Sequence, residues 1–143
     1  MIRYLKKQKL LILETEQTSY WIGLKYPAPI CLYWGAKIAP EDADMFEPIR
    51  DHSSFDMELW RERLEYPAFD GRTFESVSLK ADVPLNLHTK HVDVREQQAE
   101  IMLEDEAGRL EVCLVYRVFE ACDVIQKSAK ITAKESVRLT RLD

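Results

Sequence analysis

Residues Trp60 to Phe74 read WRERLEYPAFDGRTF, and this stretch divides the chain into two kinds of text. Before Pro67 the sequence from Lys37 is acidic and poor in strand pattern; after it, almost every segment alternates apolar and polar residues. Pro67 has a fixed φ, lacks the N–H that a strand interior donates, and biases Tyr66 to an extended conformation, so the segment is neither an interior strand nor the middle of a helix. It reads as an ordered lead-in loop. Tyr66, Phe69 and Phe74 offer apolar area to pin that loop onto a sheet, and Asp70-Gly71 supplies a turn. Taken alone, an anchored aromatic-proline loop is a structural device.

Downstream of it, Ser76–Lys80 is a short alternating run, and Leu85–Val94 is a longer one with a polar His88-Thr89-Lys90-His91 centre. Gln98–Glu104 alternates Ala99, Ile101 and Leu103 inward with Glu100, Met102 and Glu104 outward. Asp105-Glu106-Ala107-Gly108 then signals a hairpin turn. Leu110–Phe119 puts Leu110, Val112, Leu114, Tyr116 and Val118 on one face and the equally apolar Cys113, Val115 and Phe119 on the other, which predicts a central strand buried on both sides. Asp123–Ala133 and Val137–Arg141 complete the set.

Upstream, Leu10–Thr15 and Ser19–Tyr26 predict a hairpin. Pro27-Ala28-Pro29 breaks its second strand, and Ile30–Trp34 resumes as a third, ended by Gly35, with Ile30, Leu32 and Trp34 on one face and Cys31 and Tyr33 on the other. Between Lys37 and Leu64 the pattern turns helical or irregular. Pro40 suits the first position of a short helix with acids in its first turn. A strandless excursion of about 25 residues is long for a plain sandwich, and long structured loops are often functional. The plainer alternative is a solvated acidic decoration. The whole predicts an all-β fold, an antiparallel β-sandwich forming a single domain over residues 1–143, with one short helical or irregular insertion near 40–64.

Composition narrows the function classes. The 143 residues are 46% hydrophobic and 31% charged, with net charge -5, which predicts a folded, soluble chain. No basic cluster exceeds Lys6-Lys7-Gln8-Lys9, so nucleic acid is not expected as a partner. The Leu10–Leu13 run is too short for a signal core or a membrane span, so neither secretion nor membrane association is expected. Cys31, Cys113 and Cys122 form an odd set without paired spacing, which fits free, mostly buried thiols in the cytoplasm.

Constellations with chemical potential are few. His88 and His91, at i and i+3 on a strand, are expected on opposite faces, with no third Cys or His ligand near them in sequence, so no metal is expected. No glycine-rich phosphate loop exists among four glycines, and no cofactor is indicated. The cysteines are expected as structural thiols rather than nucleophiles. Glycoside hydrolysis needs two carboxylates flanking the scissile bond. Asp51, Asp56, Glu58, Glu62 and Glu65 are available carboxylates.

Four motifs in order carry a family resemblance: Leu32-Tyr33-Trp34-Gly35, Glu65-Tyr66-Pro67-Ala68-Phe69, Gly108-Arg109-Leu110-Glu111-Val112 and Asp123-Val124-Ile125. From about Ser19 to Ile131 the chain resembles the N-terminal domain of the family 36 glycoside hydrolases, the microbial α-galactosidases or melibiases. The resemblance implies a larger sandwich of two long sheets, a supersandwich of which this chain is roughly the first half. It also implies a non-catalytic role, since none of these acids stands in the Lys-Trp-Asp type motif that marks the family's nucleophile, beside a (β/α)₈ barrel that holds the retaining carboxylates, with homo-oligomer contacts and α-galactoside glycans as partners of the parent enzyme. An aspartate between the first two motifs is a sugar ligand in that family. Asp51 is its nearest counterpart here, with Asp44 and Asp56 as alternatives. The chain departs from the family pattern where Thr73-Phe74-Glu75 replaces an Asp-Phe-Arg. A second reading is a stand-alone carbohydrate-binding or protein-interaction module, with Trp21, Tyr33 and Trp60 as a stacking platform. A small enzyme in its own right is the third and least favoured reading. By either route a half-sandwich leaves sheet edges and an apolar face uncovered, conditions that drive association.

Overall fold

The computed structural model describes residues 1–48, 58–71 and 76–143. Among these residues ten strands form three antiparallel sheets: β1 (Ile2–Leu5), β2 (Leu10–Glu14), β3 (Thr18–Gly23), β4 (Ile30–Ala36), β5 (Leu79–Ala81), β6 (Leu87–Val94), β7 (Gln98–Asp105), β8 (Leu110–Phe119), β9 (Val124–Ala133) and β10 (Leu139–Leu142). The first sheet runs β1-β2-β3-β4 and the second β6-β7-β8-β9, while β5 and β10 pair as a ribbon. Both large sheets are therefore meanders in which each strand lies beside its sequence neighbour. Between them lies a core of Leu11, Leu13 and Ile22 from one sheet, Ile101, Leu103, Leu114 and Tyr116 from the other, and Leu79, Leu85 and Tyr66 from the ribbon and loops.

The expected strands are present, with shifts that have local causes. β1 lies in a segment whose basic charge masks a strand; it pairs with β2 from Ile2↔Leu13 to Leu5↔Leu10, and Arg3 donates to Glu14 at 2.9 Å. β5 starts three residues later than Ser76, because the N–H groups of Ser78 and Leu79 donate instead to the Pro67 carbonyl, at 2.8 and 3.2 Å. At the Asp105–Gly108 turn, Gly108 takes φ 73°, a left-handed value that glycine adopts without steric cost.

Three expectations need correction. β8 is not buried on both faces: Leu110, Val112, Leu114, Tyr116 and Val118 are buried, whereas on the opposite face Val115 is half-buried and Phe119 exposed. The strand with two buried faces is β2, every residue of which is buried. Leu11 and Leu13 face the inter-sheet core. Leu10 and Ile12 join Trp21, Ile30, Leu32 and Ala43 in a second cluster, covered by Phe46, Trp60 and Leu64. The described pieces of the insertion are neither bare decoration nor an isolated helix; two stretches of 3₁₀-helix, Pro40–Phe46 and Leu59–Arg63, roof the outer face of the first sheet.

The second correction concerns register. β3 and β4 slip between Trp21↔Tyr33 and Ile22↔Cys31, so Leu32 is the extra residue of a bulge. Leu32 folds over Gly23, where an added Cβ would come within 2.9 Å of its Cδ1. The bulge breaks the alternation, sending Leu32 and Tyr33 to the outer cluster and Trp34 to the side of Tyr20. A second bulge at Lys90 in the β6–β7 ladder does the same for the histidines: His88 stands opposite Glu104 and His91 opposite Met102, both outward, so they share a face. No group of three or more His, Cys, Asp or Glu is placed to hold a metal among the described residues. The third correction is Cys122, which is exposed on a short turn after β8, while Cys31 is half-buried and Cys113 buried.

On the outer face of the second sheet, Lys90 and Lys134 both bridge Glu104 and Glu111 at 2.7 to 3.2 Å. Hydrogen bonds from Lys134 and Lys90 hold the Glu111 carboxyl down at about 2. No helix among the described residues is long and apolar enough to cross a membrane.

Leu114 is fully buried on β8, opposite Ile101 and Ala129. Leu114→Ala is expected to cost about 2 to 5 kcal/mol through lost transfer energy and the cavity left behind. Urea denaturation measures it; a loss under ~1 kcal/mol contradicts the core position.

Candidate functional site

The lead-in loop is tied down by its own backbone. Glu65 N–H donates to Pro29 O at 2.9 Å, Phe69 N–H to Leu79 O at 2.9 Å and Leu85 N–H to Phe69 O at 2.8 Å. Residues 65–69 are thereby threaded between the first sheet and the β5–β10 ribbon. The extended Tyr66-Pro67 pair suits that path, since Pro67 is asked for an acceptor and not a donor. Lys80 Nζ stands 4.7 Å from the centre of the Phe69 ring.

This anchoring carries the Glu65 carboxylate into the interior, where the residue is 5% exposed. Tyr20 on β3 donates its hydroxyl to Oε1 at 2.5 Å. Tyr116 on β8 donates to Oε2 at 2.6 Å, and Lys127 on β9 donates to the same oxygen at 2.9 Å. Lys127 Nζ also donates to the Glu65 backbone carbonyl. One carboxylate thus gathers donors from both large sheets. Burial, and then the Glu65 charge, push the Tyr20 and Tyr116 hydroxyls far above the ordinary tyrosine range, so both remain protonated donors. Burial followed by the same charge raises the nearby Cys31 thiol, which keeps it protonated and a poor nucleophile.

Beside this cluster opens a cleft of about 390 Å³ lined by Thr18, Tyr20, Trp34, Tyr116, Asp123, Ile125 and Lys127. Trp34 is 75% exposed at its mouth and meets Tyr20 edge-on, with ring centres 6.2 Å apart. Asp123 closes the far end, accepting from the Thr15 and Thr18 hydroxyls, which lower its carboxyl. Chemically, the Glu65 oxygens are already occupied by three donors, an arrangement that holds elements together rather than one that hands protons to a substrate.

The residues singled out from sequence fall elsewhere. Asp44 is exposed at the first 3₁₀ turn, 3.6 Å from Lys25. Asp51 and Asp56 lie outside the described residues, as do Thr73, Phe74 and Glu75. Glu58 accepts from the Trp60 indole at 2.8 Å. The expected aromatic platform does not form: Trp21 is fully buried, Tyr33 packs against Phe46, and Trp60 stacks on Tyr26. The exposed indole is Trp34, released by the bulge at Leu32. From sequence, Glu65 stands in a family motif and among the available acids but has no role of its own. Its signal was indirect: Tyr20 and Tyr116 both fall on inward positions, and a buried tyrosine hydroxyl requires a partner.

Comparison with known proteins now bears on this geometry. The family model "Glycosyl hydrolase family 36 N-terminal domain" matches residues 27–143. The chain belongs to that family. The match begins within the Pro27-Ala28-Pro29 break, yet the solved structures that resemble this GH36 N-terminal domain include the strands before it. The galactosidase domain of the alpha-galactosidase-sucrose kinase AgaSK superposes over 99% of this chain with TM-score 0.85 and 21% identity. The GH36 alpha-galactosidase AgaB from Geobacillus stearothermophilus covers 99% with TM-score 0.76 and 20% identity, and a variant of AgaA from the same organism, solved with raffinose, covers 94% with TM-score 0.75 and 20% identity. At such identities the likeness establishes the fold. The chain spans 24% to 25% of the length of these three structures. No curated protein matches it significantly.

Glu65→Ala leaves the Tyr20 and Tyr116 hydroxyls without their acceptor, while the Lys127 ammonium keeps the backbone carbonyl of residue 65. The expected loss is about 1 to 3 kcal/mol for each buried group left unsatisfied, with Glu65→Gln losing less because its amide oxygen still accepts. Denaturation of both variants checks the order; equal, near-zero effects would show that the cluster does not hold the fold.

Proposed function

We propose that this chain is the non-catalytic N-terminal β-sandwich of an α-galactosidase, contributing structure, oligomer contacts and one wall of the galactoside-binding site, in a cytoplasmic enzyme. The observation that carries the reading is the family match over residues 27–143, joined to a fold shared with GH36 alpha-galactosidases across nearly the whole chain. That the chain spans 24% to 25% of the length of those structures supports an accessory role within a longer enzyme. Raffinose bound in the AgaA complex supports α-galactosides as the partner of the parent enzyme.

The binding wall is assigned to the segment between the Leu32–Gly35 and Glu65–Phe69 motifs, with Asp51 as the sugar ligand and Asp44 and Asp56 as alternatives. The described ends of that segment support it, because Ala43, Phe46, Trp60 and Leu64 pack on the outer face of the first sheet. Exposed Trp34, beside Asp123 and Lys127 in one cleft, favours the second reading of a stand-alone carbohydrate-binding module.

Two measurements test this. The purified chain is expected not to hydrolyse an aryl α-galactoside above the buffer rate; turnover abolished by changing a single Asp or Glu would make the chain an enzyme. When the chain is joined to its barrel, Asp51→Ala is expected to weaken galactose binding by about tenfold or more, the loss of one desolvated charged acceptor. Unchanged affinity on titration moves the role to Asp44 or Asp56.

A further inference from the structure

Tyr26 touches both of the 3₁₀ stretches that roof the first sheet. Its backbone is held on both sides, Leu24 N–H donating to Lys9 O at 2.8 Å before it and the Pro27 carbonyl accepting from Thr89 N–H at 2.7 Å after it. Pro27 also biases it to an extended conformation. From that footing its ring stacks on Trp60 of the second stretch, with ring centres 5.7 Å apart and planes inclined by 21°. Its hydroxyl donates to Glu47 Oε2 at 2.8 Å, at the cap of the first stretch. Lys25 takes the other Glu47 oxygen at 2.7 Å, and that hydrogen bond raises the pKa of its ammonium. A direct tie runs from Arg63 Nη1 to Phe46 O at 2.9 Å. Covering the sheet requires none of the polar part, because Ala43, Phe46, Trp60 and Leu64 supply the apolar cover and a phenylalanine at 26 would stack on Trp60 as well. A single hydrogen bond between partly exposed groups adds little stability. What the hydroxyl adds is placement, since it ties the first stretch to the ring that already holds the second.

We propose that Tyr26 is a positioning residue of the galactoside-binding wall: by holding Glu47 and Trp60 at once, it sets the two stretches at one separation and with them the carboxylate assigned to the sugar. This rests on the wall assigned above to the segment between the Leu32–Gly35 and Glu65–Phe69 motifs, and names what holds it in place. A carboxylate reads a sugar hydroxyl only within hydrogen-bond reach, so a displacement of about 1 Å forfeits much of the contact. A tyrosine suits that demand. It has few rotatable bonds, and here stacking fixes the ring while the hydroxyl fixes its partner. Lys25 does not substitute for it, because its flexible stem serves Glu47 and Asp44 alike, at 2.7 and 3.6 Å. Tyr26 is given no sugar contact of its own; it acts through the two stretches it joins.

The test uses the chain joined to its barrel, with an aryl α-galactoside as substrate. Tyr26→Phe keeps the stacked ring and removes the bond to Glu47. KM is expected to rise about threefold or more with kcat unchanged, as for a contact made equally in the ground and transition states. Glu47→Ala is expected to raise KM as far, and Glu47→Gln less far, because its amide oxygen still accepts from Tyr26. The double variant carries the most weight. Once the sugar-binding acid is removed, by Asp51→Ala or its alternatives Asp44→Ala and Asp56→Ala, Tyr26→Phe is expected to add nothing further to KM, since both changes act on one contact. A Tyr26→Phe enzyme with the parent KM overturns the proposal whatever its melting temperature, and so does a rise in KM that persists undiminished in the acid variant. If none of the three acid variants weakens binding, the wall reading falls and this inference with it; if one does and Tyr26→Phe does not, the inference alone falls. Should Tyr26→Phe not fold, the Glu47 pair decides, and equal KM values for its Gln and Ala variants overturn the role.

Discussion

A carboxylate withdrawn from water is the constraint on which this molecule depends. Removing Glu65 from solvent is costly unless its oxygens are fully hydrogen-bonded, and here the donors come from three different strands. The solution recruits Tyr20 from the first sheet and Tyr116 and Lys127 from the second. Apolar contacts between two sheets tolerate sliding; three charge-assisted bonds to one anion do not. The anion itself is delivered by the loop that Pro67 and Tyr66 keep extended, so local backbone chemistry and the relative placement of the sheets meet at one residue.

The first sheet depends on a different covering. Its inner face is closed by the second sheet, but its outer face carries Leu10, Ile12, Trp21 and Ile30, all nearly or fully buried. The insertion between β4 and the lead-in loop provides that cover through Ala43, Phe46, Trp60 and Leu64. Its acidic residues include Glu47, which takes Lys25 at 2.7 Å and the Tyr26 hydroxyl at 2.8 Å. A segment that looks solvated by charge count is amphipathic in space: among its described residues Ala43, Phe46, Trp60 and Leu64 are directed at the sheet, while Met45 stays exposed.

The sandwich was legible because alternation of period two is written plainly in β7, β8 and β9, and the turn at Asp105–Gly108 sets their order. β8 was read with its observed bounds. What escaped was everything that alternation cannot encode. The bulges at Leu32 and Lys90 insert one residue without proline or glycine at the site, so Trp34 and His91 changed faces unannounced. The double burial of β2 depended on a roof supplied from beyond β4. Glu65 was indistinguishable from its acidic neighbours because its donors lie 45, 51 and 62 residues away. Family resemblance reached the fold by another route, through short motifs of which one begins at Glu65, yet it placed the ligand role in the 40–64 segment and gave Glu65 none.

The meander order of both large sheets also has a kinetic side. Every ladder within them joins strands adjacent in sequence, so each can close through a short hairpin with little loop entropy to overcome. The Glu65 cluster joins residues that no hairpin brings near, and its bonds form only when both sheets stand at their final separation. Before that moment the chain holds two sticky ribbons, each with an uncovered apolar face and free edges. The burial of one glutamate therefore marks the step at which independent ribbons become a mutually aligned pair. Crowded synthesis would punish delay at that step more than a slow start to either meander.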